Sequence, residues 1–212
     1  MSGEEVLRFL EAFECIAEST GKGKLFFYLA FFQLCTGARI GEACAIHWND
    51  VDLITGHLNI SKNVKWGRGK DSETSIKPFT KTGVGRRIPM TKDLRYLLSK
   101  MKQSPSGKLV FSEDGNEPLS YRSVQHYYAR AFKAAGISWK GSHVLRHTFS
   151  TNYLTATKDY VSLSRFLGHA STRQTEHYAK ITGTLTDRSF ETFNESAGEM
   201  FGNVLAFDQS AG

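Results

Sequence analysis

Between Leu25 and Leu34 the chain offers no polar face. A helix of that composition cannot lie at a surface, so it is expected as the buried centre of the fold with other elements around it. Gly37 would end it, and Arg39 to about Ile46 would open a short further helix. Ahead of it, Ser2 and Glu5 form a capping box. Val6, Leu10, Phe13 and Ala17 then recur at helical spacing, which predicts an amphipathic helix to about Ala17.

The pattern changes from His57. Leu58, Ile60 and Val64 alternate with polar residues, as in a strand. Trp66 to Asp71 reads as a long, basic hairpin tip, where Trp66 either touches the backbone of a polyanion or lies in solvent. Ser75 to Thr80 and Arg86 to Met90 supply two more strands, the middle one irregular or at an edge because of Pro78. Past Thr91 the reading is helical again. Caps at Thr91, Ser120, Ser142 and Asp159, with stops at Gly136 and Gly168, predict helices to about Lys102, Ala135, Leu154 and Gly168. A short helix is expected after Ser171 or Thr172 and a last one from Thr186 to about Met200, with a tail from Phe201 to Gly212. The expected class is mainly α with a small three-stranded antiparallel β-sheet.

Lys and Arg outnumber Asp and Glu by 27 to 21 in 212 residues, a net charge of +6 that favours a polyanionic partner. Cys15, Cys35 and Cys44 have no CxxC spacing. Cys35 and Cys44 read as buried free thiols and the chain as one of a reducing, cytoplasmic compartment. No apolar stretch is long enough to span a bilayer.

Chemistry gathers in a few segments. In Ser142-His143-Val144-Leu145-Arg146-His147-Thr148-Phe149, His143 and Arg146 leave a helix about 60° apart, on one face. Val144, Leu145, Thr148 and Phe149 turn largely the other way. His147 reads as a solvent-side or packing histidine. Tyr127, Tyr128, Tyr153 and Tyr160 read as packing residues, and Trp48 and Trp139 fit core or helix-end positions. Upstream stands Thr36-Gly37-Ala38-Arg39-Ile40-Gly41-Glu42. Downstream Leu167-Gly168-His169 is followed, nine residues after His169, by Tyr178.

These segments, in this order and with 23 residues from Arg146 to His169, resemble the tyrosine recombinases, the family of phage integrases and Xer-type recombinases. That family carries an A-R-x-G-E box, an H-x-L-R-H box, an L-G-H box and a tyrosine soon after. The resemblance runs from about Gly3 to Lys180 and implies the tyrosine recombinase catalytic-domain fold. It further implies DNA cleavage and rejoining through a 3′-phosphotyrosyl link on Tyr178. Arg39 and Arg146 would grip the scissile phosphate, helped by His169, and His143 would accept the phenol proton. Lys81, ahead of Arg86-Arg87-Ile88-Pro89, fits the lysine that protonates the leaving 5′-oxygen, with Lys77, Lys70 and Lys65 as rivals. Glu42 either orients its neighbours or is a surface partner of Arg39.

Because the covalent link conserves bond energy, neither ATP nor a divalent metal is expected as cofactor. The implied partner is double-stranded DNA, bound by a tetramer that exchanges a C-terminal segment. The catalytic core is expected over 1–180 and an exchangeable helix and tail over 181–212. The family's N-terminal core-binding domain is not expected in this chain. Other readings are a DNA-binding relative without the chemistry, a type IB topoisomerase, and a zinc hydrolase built on His143 and His147 with His169 or His177. The last lacks the Glu of H-E-x-x-H, because position 144 is Val.

Overall fold

A computed structural model describes residues 1–20, 23–67, 73–78, 85–105, 107–168 and 190–198. Helix α1 (Gly3–Thr20) begins at the expected capping box. The Ser2 amide donates to Glu5 Oε2 at 2.8 Å and the Glu5 amide to Ser2 Oγ at 3.2 Å. Helix α2 (Gly23–Thr36) is the apolar run, and Phe26, Leu29, Ala30, Phe31, Phe32 and Leu34 are all buried. It packs on α1 and on α4 (Lys92–Lys102), α5 (Tyr121–Ala134) and α6 (His143–Thr157). Each such aromatic or Leu side chain taken from water contributes about 1.5–3 kcal/mol, so the centre of the fold is an apolar helix held on most sides.

The caps fall where the sequence places them. Thr91 and Ser120 accept the N3 amides of α4 and α5, and Asp159 does the same for α7 (Tyr160–Leu167). Gly136 and Gly168 adopt φ of +71° and +64° after α5 and α7, a conformation a side chain resists. Ser142 precedes α6 without a side-chain cap bond.

The β region is divided differently from the reading of one continuous strand. Strand β2 (His57–Ile60) lies between β1 (Val51–Asp52) and β5 (Arg86–Pro89), all antiparallel, with Leu58 opposite Ile88. Strands β3 (Asn63–Lys65) and β4 (Ser75–Lys77) form a separate two-stranded ribbon. The sheet thus has three strands, but its edge is Val51–Asp52 rather than the segment near Pro78. The divide comes at Ser61–Lys62, where Lys62 Nζ turns to the Asp50 carboxylate at 2.5 and 2.6 Å. Trp66 is half-buried and not in open solvent. Its indole N–H donates to Leu119 O at 2.9 Å and its ring packs on Tyr121. Tyr160 is the other correction: it is not a packing residue but 72% exposed.

A second aromatic group joins Phe149 and Tyr153 of α6 to Phe166 of α7 and to Phe190 and Phe193 of the helical segment 190–198. Residues 190–198 therefore pack on their own chain. The expected helix after Ser171, the hairpin tip at 68–71 and the tail after Phe201 lie outside the described residues. No described helix is long and apolar enough to cross a membrane.

Candidate active site

The turn after α2 is where the site is built. Thr36 Oγ1 donates to Phe32 O and accepts the Ala38 amide, while Gln33, itself bonded by the Tyr128 hydroxyl, donates to Ala38 O. Gly37 takes φ +64°, and a Cβ there would stand 2.4 Å from the Phe149 ring and 2.9 Å from Leu167. Only glycine lets α6 and the end of α7 come this close to the turn. The close approach has a direct result. Arg146, reaching from α6, donates through Nη1 to Gly37 O at 2.8 Å and through Nη2 to Leu167 O at 2.7 Å.

Two residues past Gly37, Arg39 is the N-cap of α3 (Ile40–Ala43) in extended conformation. Glu42 reaches back over it. Its Oε2 accepts the Arg39 amide at 2.9 Å and its Oε1 accepts Arg39 Nη1 at 3.0 Å. The Glu42 side chain has no exposed surface. It therefore needs a full set of donors, and strand β5 supplies the rest. Arg86 Nη1 and Nη2 donate to the same two oxygens at 3.2 and 2.7 Å, while Arg86 Nε donates to Phe166 O. The sequence had offered two readings of Glu42; burial and four hydrogen bonds make it the organiser of its neighbours and not a surface partner. Burial alone would raise its carboxyl, but the hydrogen bonds and charge of Arg86, then those of Arg39, outweigh this and hold it below its ordinary value.

Arg146 is buried, and its pKa is pushed down to about 10. Burial is the main cause and the nearby Arg39 charge the next, with Glu42 opposing and Arg86 adding to the effect. Arg146 stays charged at neutral pH, but it holds that charge against two other guanidiniums. Among the described residues two guanidiniums contact Glu42 and the third, on Arg146, feels its charge, so cations outnumber the carboxylate there. Such an assembly is costly by itself and is relieved by an anion. Phosphate, which takes parallel N–H bonds from guanidinium, fits that need.

The predicted site residues divide into two sets. Arg39 and Arg146 are joined through the Gly37 turn and share one electrostatic environment. His143 begins α6, three residues before Arg146, and is exposed. His147 is exposed also. Lys81, His169 and Tyr178 lie outside the described residues, as do Lys70 and His177. Gly168, which His169 directly follows, sits against Arg86: a Cβ there would be 3.2 Å from Nη1. Among the described residues no three His, Cys, Asp or Glu side chains gather in a group able to hold a metal.

Arg86 is the residue that sequence reading missed. It served there only as a marker of the strand after Lys81. The period of two held the signal, since Arg86 shares a strand face with buried Ile88 while Arg87 is exposed.

Residues 1–183 match the family model described as the phage integrase family. The chain belongs to that family. It is 27% identical over 164 residues to the tyrosine recombinase XerC of Bacillus subtilis, an alignment covering 76% of this chain and 51% of that protein. The integrase of Escherichia phage lambda is also 27% identical over 164 residues, covering 72% of this chain and 40% of that one. The chain thus spans about half the length of the curated relatives it matches. Among solved structures, the lambda integrase catalytic core superposes with a TM-score of 0.59 at 26% identity, over 82% of this chain and 93% of that one. The Tn1549 transposon integrase bound to transposon right end DNA gives 0.63 at 20% identity, over 79% of this chain and 58% of that one, a likeness of fold alone.

Proposed function

We propose that this chain is the catalytic part of a site-specific DNA recombinase that cleaves a strand and rejoins it through a 3′-phosphotyrosyl link on Tyr178. The observation that carries this reading is the placing of Arg39 and Arg146 beside one turn, where among the described residues positive charge exceeds that of the Glu42 carboxylate. Attack on a phosphodiester spreads negative charge over the non-bridging oxygens, and preorganised guanidiniums lower the barrier by meeting that charge. In this scheme Arg39, Arg146 and His169 bind the phosphate, Tyr178 Oη attacks phosphorus, and His143 takes the phenol proton. The 5′-oxygen leaves with a proton from Lys81. Rejoining runs the same steps in reverse, so the bond energy is kept and no cofactor is consumed.

The partner is double-stranded DNA. Lambda integrase has been solved as a tetramer bound to a Holliday junction, and its likeness to this chain (TM-score 0.59, 25% identity, over 82% of this chain and 47% of that one) supports the same assembly here. We place its action in the cytoplasm; the buried, unpaired thiols Cys35 and Cys44 are consistent with a reducing compartment. The 212-residue chain should hold DNA with a steep salt dependence.

The test is incubation with nicked duplexes of randomised sequence in EDTA, followed by denaturing electrophoresis. A covalent adduct formed by the wild type and lost in Tyr178→Phe supports the reading. An adduct that persists in that variant, or activity that a chelator removes, contradicts it.

A further inference from the structure

Arg86 is bound in a way that differs from the other two arginines. All three of its guanidinium nitrogens are engaged, two on Glu42 and one on Phe166 O, and its side chain is 7% exposed. It has little left to offer a ligand. Arg39 gives Glu42 a single guanidinium contact, through Nη1, and its side chain is 21% exposed. Among the described residues its Nε and Nη2 make no hydrogen bond. A guanidinium carries five N–H donors, so Arg39 keeps most of its fork.

Glu42 explains why this division matters. Its two oxygens accept four hydrogen bonds, two from Arg39 and two from Arg86. Take Arg86 away, and a carboxylate with no exposed surface keeps only Arg39 in direct contact, with Arg146 acting at longer range. The better geometry for such a pair is the bidentate one, both forks of Arg39 turned onto Glu42. That would neutralise Arg39 and withdraw its donors from a ligand.

Resting on the reading of the site as a phosphate pocket, we infer that Arg86 is a positioning residue that occupies Glu42 and so keeps the Arg39 guanidinium available to the anion. Arg86 touches no reacting group in this scheme. It acts through Glu42, and its Nε bond to Phe166 O fixes strand β5 to the end of α7 next to Gly168. The same strand follows the segment that carries Lys81, so one side chain secures both the strand and the charge balance of the pocket.

The prediction separates this role from simple structural support. If Arg86 serves to occupy Glu42, removing the Glu42 charge should make Arg86 dispensable for anion binding. The experiment uses inorganic phosphate as probe. Its affinity is read from the rise in melting temperature with phosphate at constant ionic strength, with Arg146→Gln as the baseline for non-specific salt effects. Arg86→Gln should weaken phosphate binding by about tenfold or more, and the double variant Glu42→Gln/Arg86→Gln should recover most of it. Arg86→Lys should fall between, since it keeps the charge but not the fork.

Recovery in the double variant decides the matter whether or not Arg86→Gln alone folds. A double variant that folds by circular dichroism and still binds no phosphate would overturn the inference. So would an Arg86→Gln chain that binds as well as the wild type. A wild-type chain whose response to phosphate equals that of Arg146→Gln would overturn the phosphate-pocket reading itself, and this inference with it.

Discussion

Glu42 and Asp50 are the same device used twice, eight residues apart. Each is the third residue of a short helical turn, and each carboxylate reaches back to the amide of the capping residue: Glu42 to Arg39 at 2.9 Å, Asp50 to His47 at 3.0 Å. Each is then met by a cation from the β region, Arg86 for Glu42 and Lys62 for Asp50. The outcomes differ. Asp50 with Lys62 is a balanced, partly exposed pair that fixes the path of the chain into β3. Glu42 has no exposed surface and is surrounded by Arg39, Arg86 and, at longer range, Arg146. A balanced pair serves folding. A cluster in which, among the described residues, cations outnumber the one buried carboxylate is a poor way to gain stability, and that excess suits an anion.

Substitutions can break this contrast. The largest effect should come from Arg146→Ala, which should reduce adduct formation by about 10³-fold or more, judged by what single oxyanion-stabilising groups contribute elsewhere. Its stability should fall little, because a repelled charge leaves along with two hydrogen bonds. Adduct assays and thermal melts on the same preparation check both halves.

Next, Glu42→Ala should destabilise the fold by about 3–5 kcal/mol, since it strands buried arginines without their counter-ion. Asp50→Ala should cost about 1 kcal/mol, nearer to an exposed pair. Urea melts of the two variants would remove the contrast if their midpoints shifted equally.

A smaller effect concerns acid. The Glu42 carboxyl is held below its ordinary value of 4.5, so its contribution to stability is fully present above that pH and is lost as pH falls through the lower folded value. Wild type should therefore lose stability more steeply below pH 4.5 than Glu42→Gln does, measured as melting temperature against pH. Equal slopes would mean the carboxylate is not the charged partner described.

The sequence made the helical frame legible because its signals are local. Thr91, Ser120 and Asp159 cap their helices through side-chain oxygens, and Gly168 ends α7 by taking a conformation other residues resist. Each signal is read within a few residues of its effect. Strand pairing is not local. His57 to Lys65 looks continuous by alternation, but β2 and β3 go to different partners because Lys62 is drawn to Asp50. The partner of Trp66 was not legible for the same reason, its acceptor being Leu119, far along the chain. At the site, Arg39 and Arg146 were legible as types in a motif. Arg86 was not, because its role depends on a carboxylate 44 residues away and on a carbonyl 80 residues away.

The most direct measurement is a crystal structure of the chain soaked with tungstate, whose anomalous signal locates the ion without reference to protein density. The account predicts one tungstate accepting hydrogen bonds from the guanidiniums of both Arg39 and Arg146, with Arg86 still on Glu42. Tungstate bound only elsewhere, with both forks of Arg39 closed onto Glu42, would contradict it.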